Sequence, residues 1–458
     1  MRFENMLFDD HAGLDSSTQR AYIDLLEYEL ECALGCTEPI ALAYAGALAV
    51  RFLGEPFTKL EVVCSGNIVK NVKSVAVPNA EGLKGIEVAC ILGAVAGDAD
   101  ARLEVLKSVT HADVERTREL LSQGICAVDL AKDVPNLYVS CTARGETRTA
   151  TIEIEERHTN VTRILANGIP LDQAAIHAVC PTVSEGETEG SGREERVVAT
   201  AQQLTMSSIC AFAHSVDIEA VRTLLERQAT YNMAIAEEGL RGHWGSQIGR
   251  TLVASQPLDI VARMRAYAAA GSDARMGGCS LPVVINSGSG NQGICASVPV
   301  VIYARAIHAS DEQLLRALCI SNLTAIHLKH YIGSLSAFCG VVCAAAGAGA
   351  AITYLAGGDD SKIGATVVNT IANVGGIMCD GAKASCAAKI ASSVDAAMLA
   401  HTMAMLDEDF CAGDGLVASD VETSIMSMGY VGRVGMKSTD VEIIKIMLGQ
   451  TGPEDMRC

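Results

Sequence analysis

The chain has 458 residues, 17 of them cysteine, and a net charge of −19; 49% of it is apolar but only 4% is aromatic. It is too apolar for disorder and long enough for two or three packed units. Acidity without a basic tract argues against nucleic-acid binding and against adhesion to an anionic membrane.

In chain order, residues 15–35 read as a helix, with Tyr22, Leu25, Leu26 and Leu30 at helical spacing. A second helix is expected from Glu38 to Phe52, stopping at Gly54. Lys59 to Val77 is rich in Val and Ile and reads as strands interrupted at Ser65-Gly66-Asn67. Helices are expected near 83–96 and 111–123. Over 136–167 the pattern returns to strands, with a hairpin around Arg144-Gly145-Glu146. Residues 183–196, VSEGETEGSGREER, read as an acidic linker. Beyond them the chain is mostly helical, broken at 286–293, at Gly357-Gly358-Asp359-Asp360 and around 375–381. The fold class is therefore α+β: a large helical domain plus a smaller α+β lobe. The expected units are N-terminal helices 1–54 packing on the helical domain, a lobe 55–182, a linker 183–196 and a helical domain 197–458.

From His330 to Gly358 no residue is charged. The run is long enough to span a bilayer, but it is Ala- and Gly-dominated and stands alone, so it reads as a buried helix. The start, MRFENMLFDD, lacks a basic-then-apolar signal pattern. A cytoplasmic protein with reduced thiols is the expectation. No CxxC pair occurs, which argues against zinc ribbons and thioredoxin-like motifs.

Three constellations carry chemistry. In Gly35-Cys36-Thr37-Glu38-Pro39, Thr37 is a good N-cap and Pro39 fits the first turn. Cys36 would then sit at a helix N-terminus, where the macrodipole favours the thiolate. It is a nucleophile, base or ligand, or else a bystander at an ordinary helix start. Asn286-Ser287-Gly288-Ser289-Gly290-Asn291-Gln292-Gly293 lies between two apolar runs. Converging N–H groups there, with Ser, Asn and Gln donors, suit a carboxylate or phosphate. Ser65-Gly66-Asn67 is a shorter relative. In the helical domain, Cys339 and Cys343 lie in the charge-free run, and Cys379 and Cys386 flank Asp380-Gly381. Seven residues of straight helix span about 10.5 Å, too far for neighbouring ligands of one small cluster, but an Asp-Gly turn can shorten the path. Three thiolates from two segments can hold an iron–sulfur cluster with one open iron. Spacing alone also fits small core residues.

Together, GCTEPIALA, SGN, NSGSGNQG, YIGSLSAFCG and GGIMCDGAKASCA, in order from about Leu30 to Gly435, resemble the L-cysteine desulfidase family, related to the α-chain of iron–sulfur L-serine dehydratases. The resemblance implies a [4Fe–4S] cluster on Cys339, Cys379 and Cys386, with one open iron, and Cys36 as the catalytic residue. Cys343 matches no ligand position. The implied reaction is elimination from L-cysteine to pyruvate, ammonia and hydrogen sulfide, with the Cys36 thiolate taking the Cα proton. Lys383 is the alternative base. Substrate-binding candidates are Thr37, Glu38, Ser65, Asn67, Ser287, Ser289, Asn291 and Gln292. His327, Lys329 and His330 read as helix-end positions, with Lys329 able to face the cavity, and Cys458 reads as a free thiol on a tail.

L-serine or another small amino acid on the same cluster is the alternative. A pyridoxal-phosphate dehydratase would use SGSGNQG as its carboxylate loop, but no Schiff-base lysine motif is evident and the cysteines would go unexplained. A non-enzymatic iron–sulfur carrier or sensor would leave the anion cradle without a purpose. The expected partners are a small amino-acid substrate and a second copy of the chain, with no nucleic acid and no membrane.

Overall fold

The computed structural model describes residues 14–180, 190–255, 259–333 and 335–452. The first helix, Ser16–Glu29, is capped by the Asp15 carboxylate, which accepts from the Ser17 and Thr18 amides at 2.9 and 3.0 Å. Its buried face of Tyr22, Leu25 and Leu26 joins a core with Val197, Leu318 and Leu323 of the helical body. Strand β1 (Cys32–Leu34) follows. The second helix, Thr37–Leu53, ends at Gly54 as the sequence suggests. It packs on the lobe's sheet and on helix Ile86–Ala96. The expected 1–54 unit is thus divided: its first helix joins the helical body and its second the lobe. The reason is that Thr37–Leu53 is apolar on almost every side, so it is enclosed between layers.

The lobe holds β2 (Lys59–Cys64), β3 (Cys126–Leu130), β4 (Tyr138–Arg144), β5 (Thr149–Glu155), β6 (Val161–Ala166) and β7 (Ile169–Pro170). Their order is β3-β2-β4-β5-β6-β7; β2 and β3 run parallel and every other pair is antiparallel. The hairpin forms in the expected place. Val139, Cys141 and Ala143 on β4 and Ala150, Ile152 and Ile154 on β5 alternate inward, as period two requires. Between Cys64 and Val77 the strand expectation fails. Ser65 caps a helix, Gly66–Val72, by accepting from Ile68 N at 3.4 Å. Its β-branched residues point into the core, and tertiary burial overrides their strand propensity.

Of the expected linker 183–196, residues 183–189 lie outside the described residues, and 190–196 belong to helix Gly190–Gln203. β8 (Pro282–Val284) returns to pair antiparallel with β1 and ties the two parts together. At the centre of the helical body is Val341–Leu355, the core of the charge-free run, with side chains buried through Thr353. Its Ala and Gly residues let helices Gly290–Ala306, Asp311–Ile332, Asp360–Val374 and Cys386–Met405 surround it closely. Among the described residues, no helix is long and apolar enough to cross a membrane.

Candidate active site

A cavity of about 540 Å³ opens where the lobe meets the helical body. That volume suits a small molecule. Cys36, Glu38, Ser287, Ser289, Asn291, Gln292, Cys339, Cys379 and Cys386 all line it.

The cysteine wall is built by two short backbone contacts. Cys339 N donates to Ile377 O at 2.9 Å and Cys379 N to Ala337 O at 2.6 Å, so the two segments lie side by side. Cys386 opens helix Cys386–Met405, and the turn before it passes through Gly381 at φ +97°. A Cβ on Gly381 would stand 2.2 Å from the Lys70 carbonyl, so only glycine allows this approach. The Asp-Gly turn therefore brings Cys379 and Cys386 to one cavity, as their spacing on a straight helix would not. Cys343 is fully buried among other residues and does not line the cavity.

The Cys339 thiol, with Lys70 and Lys389 nearby, pulls the Cys379 thiol below its ordinary range despite burial. Cys339 is pushed up in turn by Cys379 and by burial. Lys329 also faces the cavity, and its ammonium donates to the Gly333 carbonyl, so it caps a helix end as well. Burial lowers its pKa against the pull of Cys343, Cys379 and Cys339. Three sulfur donors, one already favoured as thiolate, with lysines to offset anionic charge, suit a soft thiolate-bound metal group.

Opposite stands the start of helix Gly290–Ala306, with Ser289 as its N-cap. Its first-turn N–H groups have no partner within the helix. The Asn291 Oδ1 and Gln292 Oε1 atoms are buried without a hydrogen-bond partner among the described residues. Thr37 Oγ1 donates to Gly288 O at 3.0 Å and fastens this turn to the helix that follows Cys36. The buried Arg275 guanidinium lines the cavity and donates through Nε to Gly35 O at 2.9 Å.

Residues 100–445 match the serine dehydratase alpha chain family. The chain belongs to that family. It is also 47% identical over 426 residues to a UPF0597 protein of Lachnoclostridium phytofermentans, covering 93% of this chain and 99% of the relative. A UPF0597 protein of Desulfitobacterium hafniense is 45% identical over 432 residues, covering 94% and 97%. One from Finegoldia magna is 44% identical over 430 residues, covering 93% and 99%. Membership in the serine dehydratase alpha-chain family supports a dehydratase-like lyase. The matched span contains the cradle and all three wall cysteines, whereas Cys36 and Glu38 precede it.

Several expectations change against the geometry. Cys36, not Thr37, is the N-cap of Thr37–Leu53, and its side chain caps no amide. Its thiol donates to Glu38 Oε2 at 3.0 Å. Burial, and then the Glu38 carboxylate, push the Cys36 thiol well above its ordinary value, with Arg275 opposing. The helix start therefore does not give a near-neutral thiol, because desolvation outweighs the dipole. Burial works against the Glu38 carboxylate too, but His158, the Cys36 thiol and Arg275 outweigh it and hold the pKa at about 2. Ser65 and Asn67 form no nest and do not line the cavity; the same short helix sends Lys70 and Asn71 there instead. Lys383 also stays outside, held in an ion pair with Asp380. Sequence reasoning missed Lys70, Asn71, His158 and Arg275. Only the short spacing of Lys70 and Asn71 from SGN hinted at any of them.

Proposed function

We propose that this member of the serine dehydratase alpha-chain family is an L-cysteine desulfidase, with L-serine as the second candidate substrate. L-cysteine and water would give pyruvate, ammonia and hydrogen sulfide. One observation carries the reading: a single cavity joins Cys339, Cys379 and Cys386 to an anion cradle and to the Cys36–Glu38 pair. A [4Fe–4S] group on those three thiolates would supply a soft Lewis acid, an iron without a protein ligand, suited to a sulfur leaving group. The serine reading draws on the family match itself.

The chain's own residues then have separate tasks. The first-turn amides after Ser289, with the side-chain N–H groups of Asn291 and Gln292, bind the substrate α-carboxylate and fix its orientation, while the Ser287 hydroxyl donates to Asn286 Oδ1 and shapes the turn. Lys329 and Lys70 offset negative charge at the cysteine wall. Cys36 holds a proton as a thiol, with Glu38 as its acceptor, and can return a proton to the carbon skeleton after the leaving group departs. A second copy of the chain as partner belongs to this proposal as well.

The test is anaerobic purification with iron and sulfide analysis, then pyruvate and sulfide assays on L-cysteine and L-serine. Absence of iron, or no turnover of either amino acid, would sink the reading. The kcat/KM ratio for the two substrates decides between them. Cys36→Ala is expected to stop turnover while visible absorption stays; full activity would remove Cys36 from the mechanism.

A further inference from the structure

His158 lies in the turn between β5 and β6, outside every motif noted in the sequence. Its neighbour Arg157 clamps that turn to the end of the first helix. The guanidinium sits 3.6 Å over the Tyr28 ring and donates to Glu29 Oε1 and Tyr28 O, each at 3.2 Å. The imidazole is thereby inserted into the cavity wall, with its side chain 12% exposed. Its Nε2 atom is buried, has no hydrogen-bond partner among the described residues, and stands 3.9 Å from Glu38 Oε1. The other edge of the ring faces the cradle: a Cβ placed on Gly288 would lie 3.4 Å from Cε1 and 3.7 Å from Nδ1.

The ring thus spans the gap between a fixed carboxylate and the site for the substrate carboxylate. Glu38 is held from two other directions, by Asn71 Nδ2 at 3.1 Å and the Cys36 thiol at 3.0 Å. A charged carboxylate beside Nε2 favours the tautomer with its proton on Nε2 and leaves the Nδ1 lone pair free. Two cavity groups that the sequence singled out are engaged otherwise. The Cys36 proton points at Glu38, and Lys329 lies among the cysteines with its ammonium on a carbonyl.

We infer that His158 accepts the substrate Cα proton, with Glu38 as the positioning residue that sets its tautomer. This inference rests on the eliminating-lyase reading. The Cα–H bond breaks and its electron pair becomes the Cα=Cβ bond. The Cβ–S bond breaks with its pair leaving on sulfur, and the proton moves to Nδ1. The aminoacrylate then gains a proton at Cβ, and the resulting imine is hydrolysed to pyruvate and ammonia.

The experiment uses the full chain loaded anaerobically with iron and sulfide. His158→Gly is expected to keep its iron and to hold KM within about threefold, but to lose kcat by roughly 100-fold or more. Added imidazole is expected to restore at least about tenfold of that loss, which a packing role would not allow. If the glycine variant does not fold, His158→Gln is read with L-cysteine deuterated at Cα. Its kcat should fall while the isotope effect on kcat rises above that of wild type. A variant within threefold of wild type, a loss that imidazole does not relieve, or an unchanged isotope effect overturns the assignment. Wild-type enzyme that turns over neither amino acid overturns the lyase reading beneath it.

Discussion

Gly381 and Gly376 both adopt positive φ, +97° and +92°, yet only Gly381 is hemmed in by the Lys70 carbonyl. Alanine at Gly376 should therefore cost only the backbone strain, about 1 kcal/mol, and leave the cysteine wall in place. Alanine at Gly381 adds a backbone clash and should cost roughly 3 kcal/mol. It is expected to displace Cys379 from Cys386 and to cut bound iron by more than half after reconstitution. Equal iron content in the two variants would contradict this. A different single residue should govern part of the pH response. Asp273 is fully buried; burial pushes its pKa to about 6 although the amides of Gly249, Ser246 and Ile248 donate to it. A folded pKa above the unfolded value of about 4 means its stabilising contribution is full below pH 4 and is lost as pH rises through 6. Asp273→Asn should thus gain on wild type by about 1 kcal/mol between pH 5 and pH 7.5. Urea denaturation at the two pH values checks it, and a gain in the opposite direction would refute the linkage.

The C-terminal helix, Lys437–Met447, shows how one element is tied to the site. It lies on helix Gly66–Val72, where Asp440 meets the Lys70 ammonium at 2.5 Å and Lys73 Nζ donates to Met447 O at 2.6 Å. The Lys70 side chain is 1% exposed, so its charge cannot turn to water. Asp440→Asn leaves that charge without its counterion and should destabilise the protein by about 3 kcal/mol. Because Lys70 also faces the cysteine wall, less iron should be retained; unchanged stability and iron would show the pair to be dispensable. This element contact was not legible in the sequence, since Lys70 and Asp440 stand 370 positions apart with no shared pattern. Local signals fared better. Gly54 ends its helix and Arg144-Gly145-Glu146 turns its hairpin because both depend on neighbouring residues. β1 and β8, three residues each, are too short for periodicity to reveal. Helix Gly66–Val72 was misread because its Val and Ile satisfy strand propensity locally, while its fold is decided by burial. The cradle and the cysteine wall could be suspected from residue type, but the acid strength of Cys36 could not. That depends on Val75, Met276 and Cys386 closing around it from separate segments.

At the scale of the molecule, the cavity is assembled from both parts, so occupancy should stabilise their junction. The lobe supplies Cys36, Glu38, Lys70, Asn71 and His158, and the helical body supplies the cradle and the three wall cysteines. In a chain of net charge −19, Lys70, Lys329 and Lys389 collect where the sulfurs converge. Without a bound positive centre, three ionised sulfurs would repel one another, so the apoprotein should keep most of them protonated and bind its lysines less firmly. A group binding only the folded state at a hundredfold over its Kd adds about 2.7 kcal/mol. For a chain of this size that corresponds to a rise in Tm of roughly 3 °C. Anaerobic reconstitution with iron and sulfide should produce such a rise, and stripping the iron with a chelator should reverse it. Cys379→Ser should melt close to the wild-type apoprotein but gain nothing on reconstitution, because it loses the sulfur most favoured as thiolate. A rise in Tm that persists in Cys379→Ser would show that iron binds elsewhere, and no rise in wild type would leave the cysteine wall without a metal group to hold.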